Sequence, residues 1–415
     1  MKYGLLGKKL GHSYSPLIHS YFGKYEYELI EKEPHELDDF FREKDFLGIN
    51  VTIPYKKAVI PYLDEIDDAA RRIGSVNTII KTEDGKLIGY NTDYSGFLYT
   101  LRRSGIKPRG KKVIVLGSGG ASCAVKAALQ DMGAASVTVI SRSGEDNYDN
   151  LRERHRGAQI IVNTTPVGMY PGNGESPVDL SMFENLYAVA DIIANPAKTA
   201  LLFQAEKRRL PYASGLPMLV AQAAYAASLF TGRSFSDSDI ERAYNGVSKK
   251  TKNIVLIGMP GCGKTTVGRR IAKILGRELI DTDAMIVERI GMPIPEFFAK
   301  EGEDAFRIIE SECAAEACKK SGAVISTGGG IITREENREI LSQNGTLVFI
   351  NRPTSQLATR GRPISESNAL DELAQKRLPI YKKWASVTVE NIGVSQTAGL
   401  IISFLRLKSN TKTKK

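Results

Sequence analysis

Cysteine is scarce. Four occur in 415 residues, too few for a disulfide framework. Cys123 and Cys262 lie inside glycine-rich turns, while Cys313 and Cys318 are five apart, a spacing unlike a CxxC pair and without a matching histidine cluster. Reduced structural thiols are expected, not metal or redox sites. Long apolar runs are also missing: none approaches the ~20 residues of a membrane span. The first residues, MKYGLLGKKLGHS, hold a short apolar patch but neither a signal-peptide core nor a cleavage site. A cytoplasmic protein without a membrane partner is the expectation. No internal repeat is present.

What is there is ordinary for a globular chain, 42% hydrophobic and 25% charged, with a net charge of +10. Seven of those charges come from two acid-free segments, SKKTK (248–252) and KSNTKTKK (408–415). The positive charge thus sits mostly in solvated stretches, not on a folded basic face, and a nucleic-acid partner is not expected. Anionic small substrates fit the remainder equally well.

A chain of this length suggests two to four compact units. The polar stretch SKKTKN (248–253) separates two alternations of strand and helix signals, so 248–252 reads as a linker between two α/β halves. Ahead of it, LGINVTI and NTII are short strand candidates. KKVIVL (111–116) is a buried strand leading to a glycine turn and an alanine-rich helix over 121–132, and SVTVIS (136–141), AQIIVNTTP and YAVADII follow. A helix-like stretch covers 217–230. Beyond the linker, NIVLIG (253–258), AVIST (323–327) and TLVFI (346–350) read as strands. The tail from 408 is expected to be disordered.

Two glycine turns carry chemistry. VIVLGSGGASCA (113–124) places Gly117, Gly119 and Gly120 between a strand and a helix start, a diglycine variant of the dinucleotide fingerprint. Small residues let the backbone approach a pyrophosphate, and the helix N-terminus supplies N–H donors. Alone this motif is weak, since a plain tight turn looks the same. At the end of the second strand, where an NAD site usually carries Asp or Glu, stand Ser141, Arg142 and Ser143. A guanidinium there suits a 2′-phosphate and hence NADP, although a solvated surface arginine is the common fate of a lone Arg. The second turn, GMPGCGKT (258–265), matches G-x-x-x-x-G-K-[ST] in full. Its backbone N–H groups cradle phosphates, Lys264 reaches the β/γ oxygens and Thr265 binds Mg²⁺.

Further motifs surround the first turn: GHSYSPLIHS (11–20), NVTIPYKK (50–57), IGSVNTI (73–79), GYNTDYSGF (89–97) and GLPMLVAQA (215–223). Their order and spacing resemble shikimate dehydrogenase over residues 1–247. The resemblance implies hydride transfer from NADPH to the ketone of 3-dehydroshikimate, with Lys56 as acid/base and Asp93 as its partner. It implies that Ser13 and Ser15 hold the carboxylate, that Thr52, Asn77 and Gln222 contact ring substituents, and that Gly117, Gly119, Gly120, Ala121, Ser141, Arg142 and Gly215 bind NADP(H). His12 and His19 read as structural. One departure stands out: in DIIANPAKTALL (191–202), Ala194 occupies the place of a tyrosine that lines the family's substrate pocket.

Around the second turn, IDTD (280–283), GEDAFRIIE (302–310), STGGG (326–330), RP (362–363) and KRLPIY (376–381) resemble shikimate kinase over 253–405. The resemblance implies phosphoryl transfer from ATP to shikimate, a reaction of positioning and charge neutralisation. Asp283 is implied at the reacting hydroxyl, Arg307 and Arg377 at the carboxylate with Gly329 giving backbone contact, and Asp281 with Thr265 in the magnesium shell. Gly261, Cys262, Gly263, Lys264, Thr265 and Thr266 are implied at the nucleotide, with Arg362 in a lid. ATRGRPI (358–364) leaves only Gly361 between Arg360 and Arg362, so that lid is short.

The expected architecture is α/β: a dehydrogenase substrate domain (1–105, completed by about 216–247), a Rossmann NADP domain (106–215), the linker (248–252), a P-loop nucleoside-monophosphate-kinase-like domain with a parallel sheet (253–407), and a basic tail (408–415). The expected function is bifunctional: reduction of 3-dehydroshikimate to shikimate, then phosphorylation to shikimate 3-phosphate, using NADP(H), ATP and Mg²⁺, with small molecules as partners. The alternatives are a quinate/shikimate dehydrogenase joined to the kinase, or one half decayed to a ligand-binding regulatory module.

Overall fold

The computed structural model describes residues 2–11, 13–357 and 367–407. His12, the segment expected as a lid with Arg360 and Arg362, and the tail 408–415 lie outside the described residues. The chain divides into two compact units, Met1–Val247 and Ser248–Lys415.

The first unit holds two sheets. β1 (Tyr3–Gly7), α1 (Ser15–His19), β2 (Tyr27–Glu31), α2 (Leu37–Glu43), β3 (Gly48–Val51), β4 (Glu65–Ile66), α3 (Asp68–Ile73), β5 (Thr78–Lys81) and β6 (Leu87–Tyr90) build the first, followed by α4 (Thr92–Ser104). Its strand order is β2-β1-β3-β5-β6-β4, with β5 antiparallel to both β3 and β6. The second is built by β7 (Lys112–Leu116), α5 (Gly120–Asp131), β8 (Ser136–Ile140), α6 (Leu151–His155), β9 (Ile160–Asn163), β10 (Ala188–Asp191), α7 (Ala200–Lys207) and β11 (Tyr212–Ala213). It is wholly parallel, in the order β11-β10-β9-β7-β8. The expected strands KKVIVL, SVTVIS, AQIIVNTTP and YAVADII thus become β7 to β10. Successive strand residues point to opposite faces. Val113 and Val115 therefore join one core cluster with Phe97, Leu101 and Val125. Ile114 and Leu116 join another with Ile140, Leu201 and Leu202. A sheet covered on both faces needs such unbroken apolar runs.

α8 (Gly215–Thr231), the helix expected over 217–230, returns to α4, and α9 (Asp237–Thr251) follows. Here the structure departs from the expected linker. Residues 248–251 are the last turn of α9. The carbonyls of Lys249 and Lys252 accept from the Arg277 guanidinium, and that of Thr251 accepts from the Gly322 N–H at 2.7 Å. Lysine-rich composition suggested a solvated connector, but backbone acceptors with distant donors hold the segment as helix.

The second unit comprises β12 (Asn253–Ile257), α10 (Lys264–Leu275), β13 (Leu279–Asp281), α11 (Thr282–Ile290), α12 (Ile294–Cys318, interrupted at Gly302), β14 (Val324–Ser326), α13 (Glu336–Ser342), β15 (Gly345–Asn351), α14 (Ser367–Trp384), β16 (Val387–Glu390) and α15 (Val394–Phe404). Its sheet is parallel in the order β13-β14-β12-β15-β16. Every residue of β12 is buried. Among the described residues no helix is long and apolar enough to cross a membrane.

Helix N-termini show how the units are prepared for ligands. Asn91 caps α4 by accepting from the Tyr94 N–H, and Asp281 caps α11 by accepting from that of Asp283. α5 and α10 instead start from glycine turns at Gly119 and Gly263 and have no side-chain cap. α1, α2, α6, α8, α12, α13 and α15 also lack a side-chain cap, so it is the glycine turn ahead of α5 and α10, not the missing cap, that lets an anion approach their first N–H groups.

Two consequences concern stability. Asp191 ends β10 as a buried carboxyl that accepts from Asn163 Nδ2 (3.1 Å), the Ile193 N–H (3.0 Å) and Thr199 Oγ1 (2.7 Å). Burial raises its pKa from 3.8 to about 6 against these hydrogen bonds. A group whose native pKa is raised contributes stability fully below its unfolded value, and that contribution is lost as pH rises through the native one. Thermal unfolding of the first unit should therefore lose up to about 3 kcal/mol from this group between roughly pH 4 and pH 6, and Asp191→Asn should flatten that slope. Gly322 has φ +75°, and a Cβ there would overlap the Lys250 carbonyl oxygen. Gly322→Ala should destabilise the second unit by about 1–3 kcal/mol, read by calorimetry as a lower transition temperature.

Candidate active sites

A cavity of about 200 Å³ opens in the first unit at the carboxyl ends of β1 and β3. Ser13, Ser15, Thr52, Lys56, Asn77, Asp93 and Gln222 all line it. Seven residues spread from position 13 to 222 are thus brought to one place. Lys56 Nζ donates to Asp93 Oδ2 at 2.5 Å, with the two side chains 15% and 7% exposed. Asp93 stands in the first turn of α4, which the Asn91 cap starts at that point. At the same cavity Ser13 Oγ donates to Ser15 Oγ at 3.1 Å.

Beneath the cavity runs a chain of neutral hydrogen bonds. Tyr27 Oη donates to Asn50 Oδ1 (2.7 Å), and Asn50 Nδ2 donates to Thr78 Oγ1 (3.0 Å). Thr78 Oγ1 pairs with Thr92 Oγ1 (3.2 Å), and the Thr92 N–H donates to Asn77 Oδ1 (2.7 Å). Asn77 Nδ2 reaches Gln222 Oε1 at 3.4 Å. This network locks the amides of Asn77 and Gln222 in orientation. Asn50, which lines the cavity, went unassigned although it opens the NVTIPYKK motif. Thr78 and Thr92 likewise stood unassigned inside IGSVNTI and GYNTDYSGF, and Tyr27 lay outside every motif. His19 lies behind this wall: it is buried, stacks on Tyr27 at 3.9 Å and pairs with Tyr25. Burial lowers its pKa to about 3, which favours the neutral imidazole.

Ala121, Ala194 and Gly215 complete the rim. Ala194 therefore borders the cavity at the place where the family resemblance carries a tyrosine. A Cβ on Gly120 would sit 3.0 Å from Lys56 Cβ, so the start of α5 abuts the Lys56 stem directly. Gly117, after β7, has φ +102°, and a Cβ there would meet Thr165 Cγ2 at 2.9 Å and Thr164 Oγ1 at 3.0 Å. It faces the ends of β7 and β9 where the strand order reverses, the crevice in which open α/β sheets bind ligands. The close glycine turn and uncapped helix fit a dinucleotide pyrophosphate. Arg142 is exposed after β8 and has no ion pair among the described residues, and Ser141 is half-buried beside it.

In the second unit the loop Gly258–Gly263 follows β12, with Gly261 at φ +80° and Gly263 at φ +97°. The buried Lys264 ammonium donates to the carbonyls of Gly258 (2.9 Å) and Met259 (3.0 Å). Cys262 is fully buried under the loop, and its carbonyl accepts from Asn391 Nδ2 at 2.6 Å. Thr265 Oγ1 donates to Asp281 Oδ2 (2.8 Å) and pairs with Ser326 Oγ (3.0 Å). A carboxylate and two hydroxyls converging at an uncapped helix start fit a hard cation with oxygen ligands. Ser326, first residue of STGGG, is the unassigned member.

Asp283 is exposed, and its carboxylate lies by Gly328, where a Cβ would meet Asp283 Oδ1 at 2.8 Å and Glu310 Oε1 at 2.5 Å. Arg307 is buried against the backbone of Gly330 and donates to Glu310 Oε2 and Glu303 Oε1, each at 2.7 Å. Arg377 donates to the Gly329 carbonyl at 3.1 Å, and the Tyr381 hydroxyl donates to the same oxygen. Glu310 is 1% exposed. Burial raises its pKa while Arg307 pulls it down. It closes GEDAFRIIE, yet nothing in that motif separates it from a surface acid. Arg362 is outside the described residues.

The family models describe the same two halves. The shikimate dehydrogenase substrate-binding domain matches residues 5–79, and shikimate kinase matches 260–406. The NADP(+) shikimate dehydrogenase of Clostridium beijerinckii is 39% identical over 246 residues, covering 55% of this chain and 91% of the relative. Among solved structures, a chorismate mutase/shikimate 5-dehydrogenase fusion protein from Clostridium acetobutylicum superposes with a TM-score of 0.56 at 36% identity, covering 60% of this chain and 97% of that one. The Thermus thermophilus shikimate 5-dehydrogenase, solved with NADP(H) and shikimate, gives 0.52 at 32% identity, covering 60% and 99%. A dehydrogenase fold with an intact lysine–aspartate cavity is thus followed, in one polypeptide, by a phosphate-loop unit of a second enzyme family: the chain belongs to the shikimate dehydrogenase family and carries a shikimate kinase domain fused behind it.

Proposed function

We propose that the first unit reduces 3-dehydroshikimate to shikimate with NADPH, and that the second phosphorylates shikimate to shikimate 3-phosphate with ATP and Mg²⁺, in the cytoplasm. The observation that carries the first half is the Lys56–Asp93 pair inside a cavity whose other polar lining is hydroxyls and amides, set among apolar side chains such as Leu5, Ile192 and Met218. The bound dinucleotide supplies hydride to the ketone carbon. Lys56, as ammonium, donates its proton to the oxygen on which charge develops, and the Asp93 carboxylate holds that ammonium in place. Ser13 and Ser15 offer hydroxyl donors to the ring carboxylate. Thr52, Asn77 and Gln222 read the ring hydroxyls, with Asn77 and Gln222 oriented by the network below them. Gly117, Gly119, Gly120 and Ala121 admit the pyrophosphate, Gly215 borders the nicotinamide end, and Ser141 with Arg142 takes the 2′-phosphate.

For the second half the support is the loop from Gly258 to Thr265 with its oxygen cluster. ATP bound there supplies the transferable phosphoryl group, and Mg²⁺ held through Thr265 and Asp281 neutralises its charge. Gly261, Cys262, Gly263, Lys264, Thr265 and Thr266 surround the phosphates. Lys264 exchanges two carbonyl acceptors for phosphate oxygens. Asp283 accepts the proton of the attacking hydroxyl, and Arg307 and Arg377 hold the substrate carboxylate beside Gly329. Glu303 is exposed and yields its place on Arg307 to that carboxylate, while the buried Glu310 keeps the guanidinium oriented. Four cysteines without a disulfide suit a reducing compartment.

A coupled assay with 3-dehydroshikimate, NADPH, ATP and Mg²⁺ tests both halves by following NADPH loss and ADP formation separately. Absence of NADPH loss refutes the first half, absence of ADP formation with added shikimate refutes the second, and quinate oxidation assayed with NADP+ and with NAD+ separates the broader dehydrogenase reading. Lys56→Ala should lower ketone reduction by about 10²-fold or more while kinase turnover stays near wild type. Arg142→Asp should shift the NADPH/NADH ratio of kcat/KM towards NADH by at least about tenfold, since one charge-assisted phosphate contact is removed and a ribose acceptor added; an unchanged ratio sinks the 2′-phosphate role.

A further inference from the structure

The helix behind the first glycine turn, α5, is held at both ends by residues of the substrate side. At its start, a Cβ on Gly120 would sit 3.0 Å from both Lys56 Cβ and Ser75 Oγ. At its end, Asp131 is met from two other helices. Arg72, in α3, donates to it with both prongs, Nη1 to Oδ1 at 2.9 Å and Nη2 to Oδ2 at 2.6 Å. Tyr94, in the first turn of α4, donates from Oη to Oδ2 at 2.7 Å. The Arg72 guanidinium also lies over the Tyr94 ring, 5.9 Å from its centroid. These hydrogen bonds, that of Arg72 first and that of Tyr94 next, hold the Asp131 carboxyl below its usual range.

The same two helices lead to the reacting groups. α3 runs out through Ser75 to Val76, whose N–H donates to the Lys56 carbonyl at 2.9 Å, and then to Asn77. Asn91, the cap of α4, donates from Nδ2 to the Ser75 carbonyl at 2.7 Å, and Asp93 stands beside Tyr94 in the turn that this cap starts. Lys56, Asn77 and Asp93 on one side and the start of α5 on the other are therefore joined through one three-membered cluster. Arg72 and Asp131 are partly exposed, their side chains 54% and 34% accessible. An exposed ion pair adds little to stability, but a two-pronged guanidinium–carboxylate pair fixes direction as well as distance. Such a contact is better suited to aligning two elements than to holding the fold together.

We propose that Arg72 is a positioning residue for hydride transfer in the first unit: through Asp131 it fixes α5, and with it the dinucleotide carried at the start of that helix, relative to Lys56 and the ketone. The inference rests on the dehydrogenase reading of this unit. Hydride transfer needs donor and acceptor carbons close and aligned, and a misplacement of about 1 Å can cost about 10²-fold. Arg72 grips the end of α5 opposite the glycine turn and does not line the substrate cavity. Its loss leaves the contacts of each ligand in place and changes only their mutual alignment. Tyr94 still ties Asp131 to α4 when Arg72 is removed, so the effect is partial.

The test uses the full chain. NADPH oxidation by 3-dehydroshikimate is followed in single turnovers in wild type, Arg72→Ala, Asp131→Ala and the double variant, with NADPH deuterated at the transferred position to identify the hydride step. Arg72→Ala should slow that step by about tenfold. NADPH affinity by fluorescence titration, KM for 3-dehydroshikimate and the thermal transition of the first unit should stay near wild type. The double variant should be no slower than Asp131→Ala alone, because Arg72 acts through that carboxylate. Slowing that comes with lost NADPH affinity or a lowered transition temperature marks a merely structural contact and overturns the proposal. Additive slowing in the double variant overturns the route through Asp131. A wild type that transfers no hydride to 3-dehydroshikimate refutes the dehydrogenase reading and this inference together, whereas an unchanged hydride step in Arg72→Ala refutes this inference alone.

Discussion

Parallel strands can be joined only through crossovers, and each crossover helix starts near the carboxyl end of the strand before it. In this chain that constraint decides where chemistry is possible. β7 and β12 both end in glycine turns that feed uncapped helices, α5 and α10, whose N–H groups point towards the strand carboxyl ends. The cavity of the first unit and the phosphate loop of the second both lie at strand carboxyl ends. The amino ends are taken up with tight connections such as the Gly322–Thr251 hydrogen bond.

The two sites manage polarity in different ways. Under the dehydrogenase cavity the second layer is neutral, a relay of amides and hydroxyls from Tyr27 to Gln222. A polyhydroxylated ring needs donors and acceptors in fixed orientation, and neutral groups supply both at low desolvation cost. Among the described residues that line the cavity, the only charges are Lys56 and Asp93, held against each other. In the kinase unit the second layer is charged. Glu310 is buried behind Arg307, with Glu303 on its open side. Removing one member of such a buried pair leaves an uncompensated charge, an effect of about 3–5 kcal/mol, so Glu310 restricts where Arg307 can point.

Family membership and local geometry also bear on each other. Ala194 borders the substrate cavity where the resemblance carries an aromatic hydroxyl, yet Ser13, Ser15 and the Lys56–Asp93 pair remain in place. In the second unit, Lys264 turns to the Gly258 carbonyl beside a cluster in which Thr265 meets Asp281 and Ser326.

Much of this was readable in the order of residues. Strand runs such as KKVIVL and NIVLIG, and the glycine turns behind them, follow from local backbone and solvation preferences that act over a few residues. Lys56, Asp93, Lys264 and Asp283 could be named because they sit inside such short motifs. Convergence could not be read, since it depends on strand order. Ser13, Asn50, Asp93, Ala194 and Gln222 share a cavity only because β1 and β3 are neighbours and α8 returns to α4. Asn50, Glu310 and Ser326 stood within quoted motifs without a role, because a polar residue acquires one only from the partners and burial that folding supplies. The lysine-rich stretch at 248–252 shows the same limit from the other side. Its composition is that of a solvated connector, yet it is helical through Thr251, and Arg277 and Gly322, distant in sequence, bring donors to its carbonyls.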